Sequence, residues 1–370
     1  MPDDPVGDLV SVEDAEHAAR RVLPAEVWDF TAGGSGRELT LAANRAAFER
    51  TYITPRVLED VSACSTECTV LGRRMALPAA TAPMAYQSLV HPDGELAAAA
   101  AAKAAGIPFT VATLSGVPVE EVTALGGEVW FQLYWLRDWE QSLALVRRAE
   151  AAGCTAVMLT VDVPWMGRRQ RDIRNRFVLP DSVHAAHLSD GPTTAAHHRP
   201  AVGSAVAAHT AATLSASLTW SDLERLRAAT TLTLIVKGIT APRDAARIRD
   251  CGADAVVVSN HGGRQLDGTV PSLVALPEVV AAVGDGCEVL LDSGVRSGTD
   301  ILKALALGAR AVLVGRPLLW GLALGGQAGA RKVLDLLAGE FKDALGLAGC
   351  ADVEMARNNL HTRPLFDPAR

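Results

Sequence analysis

The chain has 370 residues, 49% of them hydrophobic, enough to bury one large α/β barrel or two ordinary domains. A net charge of −7 and a pI near 5.7 exclude any general electrostatic attraction to nucleic acid or to an anionic membrane surface. Six cysteines, at 64, 68, 154, 251, 287 and 350, show neither the dense even spacing of a disulfide framework nor the paired CxxC units of a zinc site, and they read as reduced thiols.

The first stretch, MPDDPVGDLVSVEDAEH, is acidic and has neither a basic n-region nor an apolar h-region. No run approaches a membrane span, since even AAAAAAKAAG from Ala97 is alanine and is cut by Lys103. A cytoplasmic protein without a membrane or nucleic-acid partner is expected. Residues 1–76 are predicted to form a helical cap. From Leu77 onward, short apolar runs alternate with longer segments of helical period, the pattern of a parallel sheet wrapped by helices. The predicted strands are LPAATAP, PFTVAT, VWFQLY, TAVMLTV, TLTLIVK, DAVVVS, EVLLD and RAVLVG. Between them lie segments such as SLALVRRAEAAG, which places Leu143, Val146 and Ala149 on one stripe. Eight strand–helix units predict a (β/α)₈ TIM barrel over residues 77–349, followed by a C-terminal tail, 350–370, all within one domain, 1–370.

One connection is anomalous. Residues 177–219, between the fourth and fifth strands, are rich in Ala, Ser, Thr and His, and a structureless connection of that length marks a lid or mobile segment. Its His197 and His198 lack carboxylates at ligand spacing, so no metal site is expected there. Just before it, Arg168, Arg169, Arg171, Arg174 and Arg176 are interleaved with Asp172, which suits a solvated, salt-bridged face or a grip on one small anion.

In a (β/α)₈ barrel the carboxyl ends of all strands meet at one mouth. That rule gathers Gln132 and Tyr134 from the third strand, Thr160, Asp162 and Arg169 from the fourth, and Lys237 from the fifth. The sixth strand runs into SNHGGRQLDG, with His261 and Arg264, and the last two end in Asp292-Ser293-Gly294-Val295-Arg296 and Gly315-Arg316-Pro317. The last two strands form the usual phosphate corner of this architecture, with an ordinary βα turn as the lesser reading of each turn taken alone. A buried Lys237 requires an anionic partner or a depressed pKa, and a phosphate-bearing cofactor with an electron-accepting ring is one such partner. Arg169 and Arg264 suit a bidentate grip on a carboxylate, and His261, with Asp162 to hold its tautomer, suits a general base. A Schiff-base aldolase using Lys237 and a non-catalytic phosphate-binding barrel fit the same residues.

SNHGGRQLDG, TVDVPWMGRRQRDIRNRF, WFQLYW, IVKGI, DSGVRSGTDILKALALGA and VGRP, in this order from about Val22 to Gly349, resemble the FMN-dependent α-hydroxy acid oxidases and dehydrogenases, the group containing glycolate oxidase, lactate oxidase and mandelate dehydrogenase. Within the group the resemblance extends to the bacterial hydroxymandelate oxidases. The resemblance implies FMN, an (S)-2-hydroxy acid substrate, dioxygen reduced to hydrogen peroxide, and a homo-oligomer, a tetramer in this family. It implies His261 as base, Asp162 behind it, Tyr134 bonded to substrate, and Arg169 and Arg264 on the carboxylate. Ser115, Gln132 and Thr160 would hold the flavin ring beside the backbone of Ala82, Pro83, Met84 and Ala85, with Ser259 in the same wall. Lys237 would face the ring's N1–C2 edge, and Asp292, Gly294, Arg296, Gly315 and Arg316 would bind the ribityl phosphate.

The chain departs from the glycolate-type pattern in carrying Phe30 where a tyrosine contacts substrate, Val117 where a tryptophan is usual, and Ser293 where a second glycine is common. Phe30, Val117 and an adaptable Met166 suggest an aryl-accepting pocket, hence (S)-mandelate or (S)-4-hydroxymandelate. A dehydrogenase passing electrons to a quinone or a protein is the nearest alternative. Ala85, where such dehydrogenases tend to carry glycine, and the lack of an apolar insert in 177–219 speak against it.

Overall fold

All of the predicted apolar runs become barrel strands: β1 Ala79–Thr81, β2 Phe109–Ala112, β3 Val129–Tyr134, β4 Ala156–Thr160, β5 Thr233–Ile239, β6 Ala255–Val258, β7 Glu288–Leu291 and β8 Ala311–Val314. The computed structural model describes residues 6–188, 194–197 and 204–364. The eight-stranded sheet has the order β1-β8-β7-β6-β5-β4-β3-β2, each neighbouring pair parallel. Between β1 and β2 the seam is closed largely by side chains, because β1 is too short for a full ladder. Thr110 N donates to Thr81 Oγ1 at 2.8 Å, Thr110 Oγ1 donates to Thr81 O at 2.7 Å, and Thr81 N donates to Pro108 O at 3.0 Å.

The strands lack polar alternation because both faces are covered. One set of side chains, including Trp130, Met158, Ile235, Val257, Leu290 and Leu313, fills the barrel interior. The other set, including Phe131, Val157, Val236 and Val258, packs outward into the helical layer. Phe131 is fully buried and meets His187, of the connection after β4, edge-on, with ring centroids 5.3 Å apart. Phe131→Ala is expected to cost about 3–5 kcal/mol in chemical denaturation, with an unchanged denaturant slope.

The amino-terminal segment is only partly a helical cap. Helices Val12–Val22, Ala25–Ala32 and Leu39–Glu49 are present, the first closed by a Ser11/Asp14 capping box. They are followed by a hairpin, Cys68–Val70 with Arg73–Met75, whose Val70 and Met75 join the interior cluster and floor the barrel at the end away from the mouth. The expected C-terminal tail is also structured. It forms a helix, Val353–Asn359, and a strand, His361–Pro364, that pairs antiparallel with Thr51–Thr54.

The long connection after β4 is not structureless where it is described. Helices Thr194–His197 and Ala205–Thr213 lie within it, Leu214 bridges to Leu136, and Ser215 N donates to Trp135 O at 2.8 Å. His187 ties it down further, since Nε2 accepts from Val119 N at 3.0 Å and Nδ1 lies 3.2 Å from Thr113 O. These anchors tie down the described parts of the segment, of which Val206, Thr210 and Leu214 reach the barrel mouth. His198 and the rest of the segment, 189–193 and 199–203, lie outside the described residues.

Candidate active site

A cavity of about 180 Å³ opens at the carboxyl mouth of the barrel. Ala82, Pro83, Met84 and Ala85 line it after β1, Tyr134 at the end of β3, Met166 and Arg169 after β4, and Lys237 in β5. His261 and Arg264 enter after β6, Asp292, Gly294 and Arg296 after β7, and Gly315 and Arg316 after β8, with Phe30 contributed by the amino-terminal cap. Residues more than 200 positions apart in sequence thus share one chamber.

His261 sits at φ 58° at the end of β6, with its N–H on Ser259 Oγ at 3.0 Å. Its Nδ1 is 3.0 Å from Asp162 Oδ1, and its Nε2 is 3.4 Å from the Tyr134 hydroxyl. Burial lowers the histidine pKa despite Asp162, while His261 and Lys237 outweigh burial at Asp162 and lower its pKa. The pair at neutral pH is therefore a neutral imidazole and a carboxylate. Asp162 fixes the hydrogen on Nδ1 and leaves the Nε2 lone pair facing the cavity. Gly238 makes this possible, because at φ 109° its missing Cβ would stand 2.6 Å from the Asp162 side chain.

Lys237 is buried, and its Nζ lies 3.0 Å from Asp292 Oδ2 and donates to Ser259 Oγ at 2.9 Å. Burial opposes its cation, but Asp292 and Asp162 outweigh burial and raise the pKa. Within the protein itself the anionic partner of Lys237 is Asp292, a pairing that the sequence did not announce. A protonated lysine is also a poor imine-forming nucleophile, which disfavours the aldolase reading.

The basic run after β4 divides by orientation. Arg171 pairs outward with Asp29 at 3.2 Å and Glu38 at 2.5 Å, whereas Arg169 turns inward and its Nε is buried without a hydrogen-bond partner among the described residues. Arg169 and Arg264 flank the Phe30 ring, their guanidinium carbons 5.7 and 5.5 Å from its centroid, and Phe30 stacks on Phe177 at 4.6 Å. Gly167 permits the two arginine loops to approach, since a Cβ there would stand 2.5 Å from Arg264 O. Arg264 Nη1 donates to Phe30 O at 2.8 Å and Gly33 O at 2.9 Å, and Arg316 Nη2 donates to Gly33 O at 2.9 Å. Both arginines thus rest on free carbonyls at the end of helix Ala25–Ala32, the negative end of its dipole.

Those carbonyls offset only part of the charge. Burial pulls Arg169 down to about 9, with Arg264 adding to it, and Arg296 down to about 10. Arg316, at the first turn of helix Arg316–Leu347, falls well below its usual range through burial and the nearby Arg264, Arg296 and Arg169. A chamber lined by Arg169, Lys237, Arg264, Arg296 and Arg316, with Asp292 as its lining acid, fits anionic ligands. The residues suit a phosphate at Arg296, Gly315 and Arg316 and a carboxylate at Arg169 and Arg264.

Other expected contacts are not brought to the cavity wall. Gln132 is buried behind it, accepting from Thr113 N at 3.1 Å and donating to Thr160 Oγ1 at 3.1 Å, so both side chains are engaged with the barrel. Ser115 Oγ closes a turn with Val117, donating to its carbonyl at 2.8 Å and accepting from its N–H at 3.1 Å. Val117, at the end of that turn, is not among the residues that line the cavity. Sequence reasoning missed Val206, Thr210 and Leu214, which bring the lid helix onto the cavity, as well as Tyr86 after β1. AVAAHTAAT carries no amphipathic stripe that could have announced such a role.

The family model for FMN-dependent dehydrogenases matches residues 19–363. This chain belongs to that family. It is 59% identical to the 4-hydroxymandelate oxidase of Amycolatopsis orientalis, over 94% of this chain and 97% of that one. It is 48% identical to the L-lactate oxidase of a Nostoc strain, again over 94% and 97%. A crystal structure of mandelate oxidase with (S)-4-hydroxymandelic acid superposes with a TM-score of 0.94 at 58% identity, covering 96% of this chain and 99% of that one. The FMN-dependent dehydrogenase described here is accordingly an oxidoreductase with FMN as its cofactor, and the residues of its cationic mouth suit that cofactor's phosphate. Among the described residues, no helix is long and apolar enough to cross a membrane.

Proposed function

We propose that this family member oxidises an aryl-bearing (S)-2-hydroxy acid, (S)-mandelate or (S)-4-hydroxymandelate, to the 2-keto acid, with dioxygen as acceptor. The observation that carries this reading is the convergence at one mouth of the Asp162–His261 pair and the Arg169/Arg264 clamp around Phe30. Similarity to the Amycolatopsis oxidase supports the choice of substrate. FMN held at this mouth would supply the two-electron acceptor for the α-carbon and the route from it to dioxygen, with hydrogen peroxide as the product.

The chain's own residues do the rest. Arg169 and Arg264 hold the substrate carboxylate and fix its rotation. His261 Nε2 accepts the proton released at the hydroxy-bearing centre, and Asp162 stabilises the resulting imidazolium through Nδ1. Tyr134 donates to the substrate oxygen. Burial has raised its pKa to about 12, so it remains a donor at every working pH. Lys237 stabilises charge at the edge of the ring, its cation held ready by Asp292. Gln132, Thr160, Ser115 and Ser259 support the ring from behind, Ala82 to Ala85 lie along it, and Gly294, Arg296, Gly315 and Arg316 hold the phosphate end. Phe30, Met166 and the lid residues Val206 and Leu214 offer the aryl group an apolar wall. The proposal includes a cytoplasmic location, supported by six unpaired thiols, and a homo-oligomeric state, which light scattering would test.

Steady-state comparison of glycolate, (S)-lactate, (S)-mandelate and (S)-4-hydroxymandelate tests the substrate class. Burying an aryl ring contributes about 1.5–3 kcal/mol, a roughly ten- to hundredfold preference in kcat/KM for the aryl acids. Preference for glycolate or lactate would reject the aryl reading. The pH dependence follows from His261, whose pKa lies below the ordinary 6.5. The active base is its neutral form, so kcat/KM is expected to hold through neutrality and fall about tenfold per pH unit once acid protonates it. A pH-rate profile in the acid limb checks this.

A further inference from the structure

We propose that Ser293 is a positioning residue for this reaction: its hydroxyl ties the carboxylate that pairs with Lys237 to the backbone that presents His261. The inference rests on the flavin-dependent reading above. Ser293 Oγ donates to Asp292 Oδ1 at 2.6 Å and accepts from Gly262 N at 2.9 Å, with Asn260 N more distant at 3.4 Å. The other Asp292 oxygen holds Lys237 Nζ at 3.0 Å. Ser259 Oγ completes the circuit from the opposite side, accepting from Lys237 Nζ at 2.9 Å and from His261 N at 3.0 Å. The lysine and the histidine are therefore joined twice, once through each serine.

Ser293 adopts φ 74° and is only 7% exposed. A serine pays a steric penalty in this region that glycine avoids, so a conformational role alone would favour glycine. What serine adds is the hydroxyl. The turn does not depend on it, because Ser272 Oγ donates to Asp292 O at 2.5 Å and to Ser293 O at 3.2 Å and holds the backbone independently. Removing the hydroxyl would leave Gly262 N without that acceptor and Asp292 with one donor fewer. The first effect loosens a histidine already at φ 58°, and the second alters the field at Lys237.

Ser293→Ala keeps the backbone burden, whereas Ser293→Gly relieves it. Both variants are expected to bind FMN as the wild type does, to leave KM for the hydroxy acid little changed, and to slow anaerobic flavin reduction about ten- to hundredfold, the range of one hydrogen bond to a charged group. A readout without flavin accompanies this. In the flavin-free chain with isotope-labelled histidine, the NMR titration of His261, assigned with His261→Asn, is expected to move upward toward 6.5 in both variants as the ring gains water. Normal rates and an unmoved titration would overturn the proposal. So would a slow alanine variant beside a normal glycine variant, which would make backbone strain the cause, or loss of FMN binding in both, which would make Ser293 a cofactor contact. If no 2-hydroxy acid reduces the wild-type flavin, the reading of the reaction fails, while the histidine titration still judges the role of Ser293.

Discussion

Replacing His261 with asparagine is expected to leave a folded, flavin-loaded protein whose flavin is reduced by (S)-mandelate about 10²–10⁴-fold more slowly than in the wild type. Asparagine suits the position because it tolerates φ 58° better than most residues and keeps a polar group near Asp162 Oδ1. It has no lone pair basic enough to take the proton that His261 Nε2 accepts. The loss therefore belongs to the chemical step and not to binding. Anaerobic stopped-flow reduction at saturating substrate measures it, with FMN content and thermal stability showing that the site is otherwise intact. Near-normal reduction would remove His261 from the role of base.

Arg264→Lys is expected to lower kcat/KM for the hydroxy acid about hundredfold, mostly through KM, and Arg169→Lys is expected to act in the same direction. The guanidinium of Arg264 serves two structures at once. Its Nη1 is anchored on the carbonyls of Phe30 and Gly33, while the group stands 5.5 Å above the Phe30 ring at the cavity. A lysine cannot hold the cap and a carboxylate simultaneously, because an ammonium has neither the span nor the planar fork. Comparing the acid with its neutral alcohol checks the account. If the wild type oxidises the alcohol as well as the acid, the arginines do not select a carboxylate.

The barrel was legible because its strands are short, wholly apolar runs such as AVVV and AVLV, buried on both faces, with helical segments between them. The elements that escaped have physical reasons to escape. The floor hairpin is made of CTV and RRM, three residues each, too brief and too polar for a periodic signal, yet Val70 and Met75 are both buried in the interior cluster of the barrel. The strand His361–Pro364 is defined by its partner Thr51–Thr54 and not by any hydrophobic pattern of its own. The lid helix Ala205–Thr213 is alanine-rich on all sides, so its placement comes from the bonds at Leu214 and Ser215.

At the site, knowing that strand ends converge was enough to group His261, Asp162, Arg169, Arg264 and Lys237. Which charges pair is set by three-dimensional register, and that the reading from sequence did not reach. Asp292 follows a strand adjacent to β6, two strands from β5 in sheet order, and reaches Lys237 across the mouth, a contact that spacing in the chain cannot express. Val117 lies two residues from Ser115, but a local turn closed by that serine decides where it points.

The central claim is that one mouth holds a flavin where a 2-hydroxy acid can reduce it, and the visible spectrum of the purified protein tests this most directly. The account predicts the two absorption bands of an oxidised flavin, bleached on anaerobic addition of (S)-4-hydroxymandelate and restored by dioxygen with release of hydrogen peroxide. A protein that shows no flavin bands after reconstitution with FMN, or whose bands no 2-hydroxy acid bleaches, would contradict it.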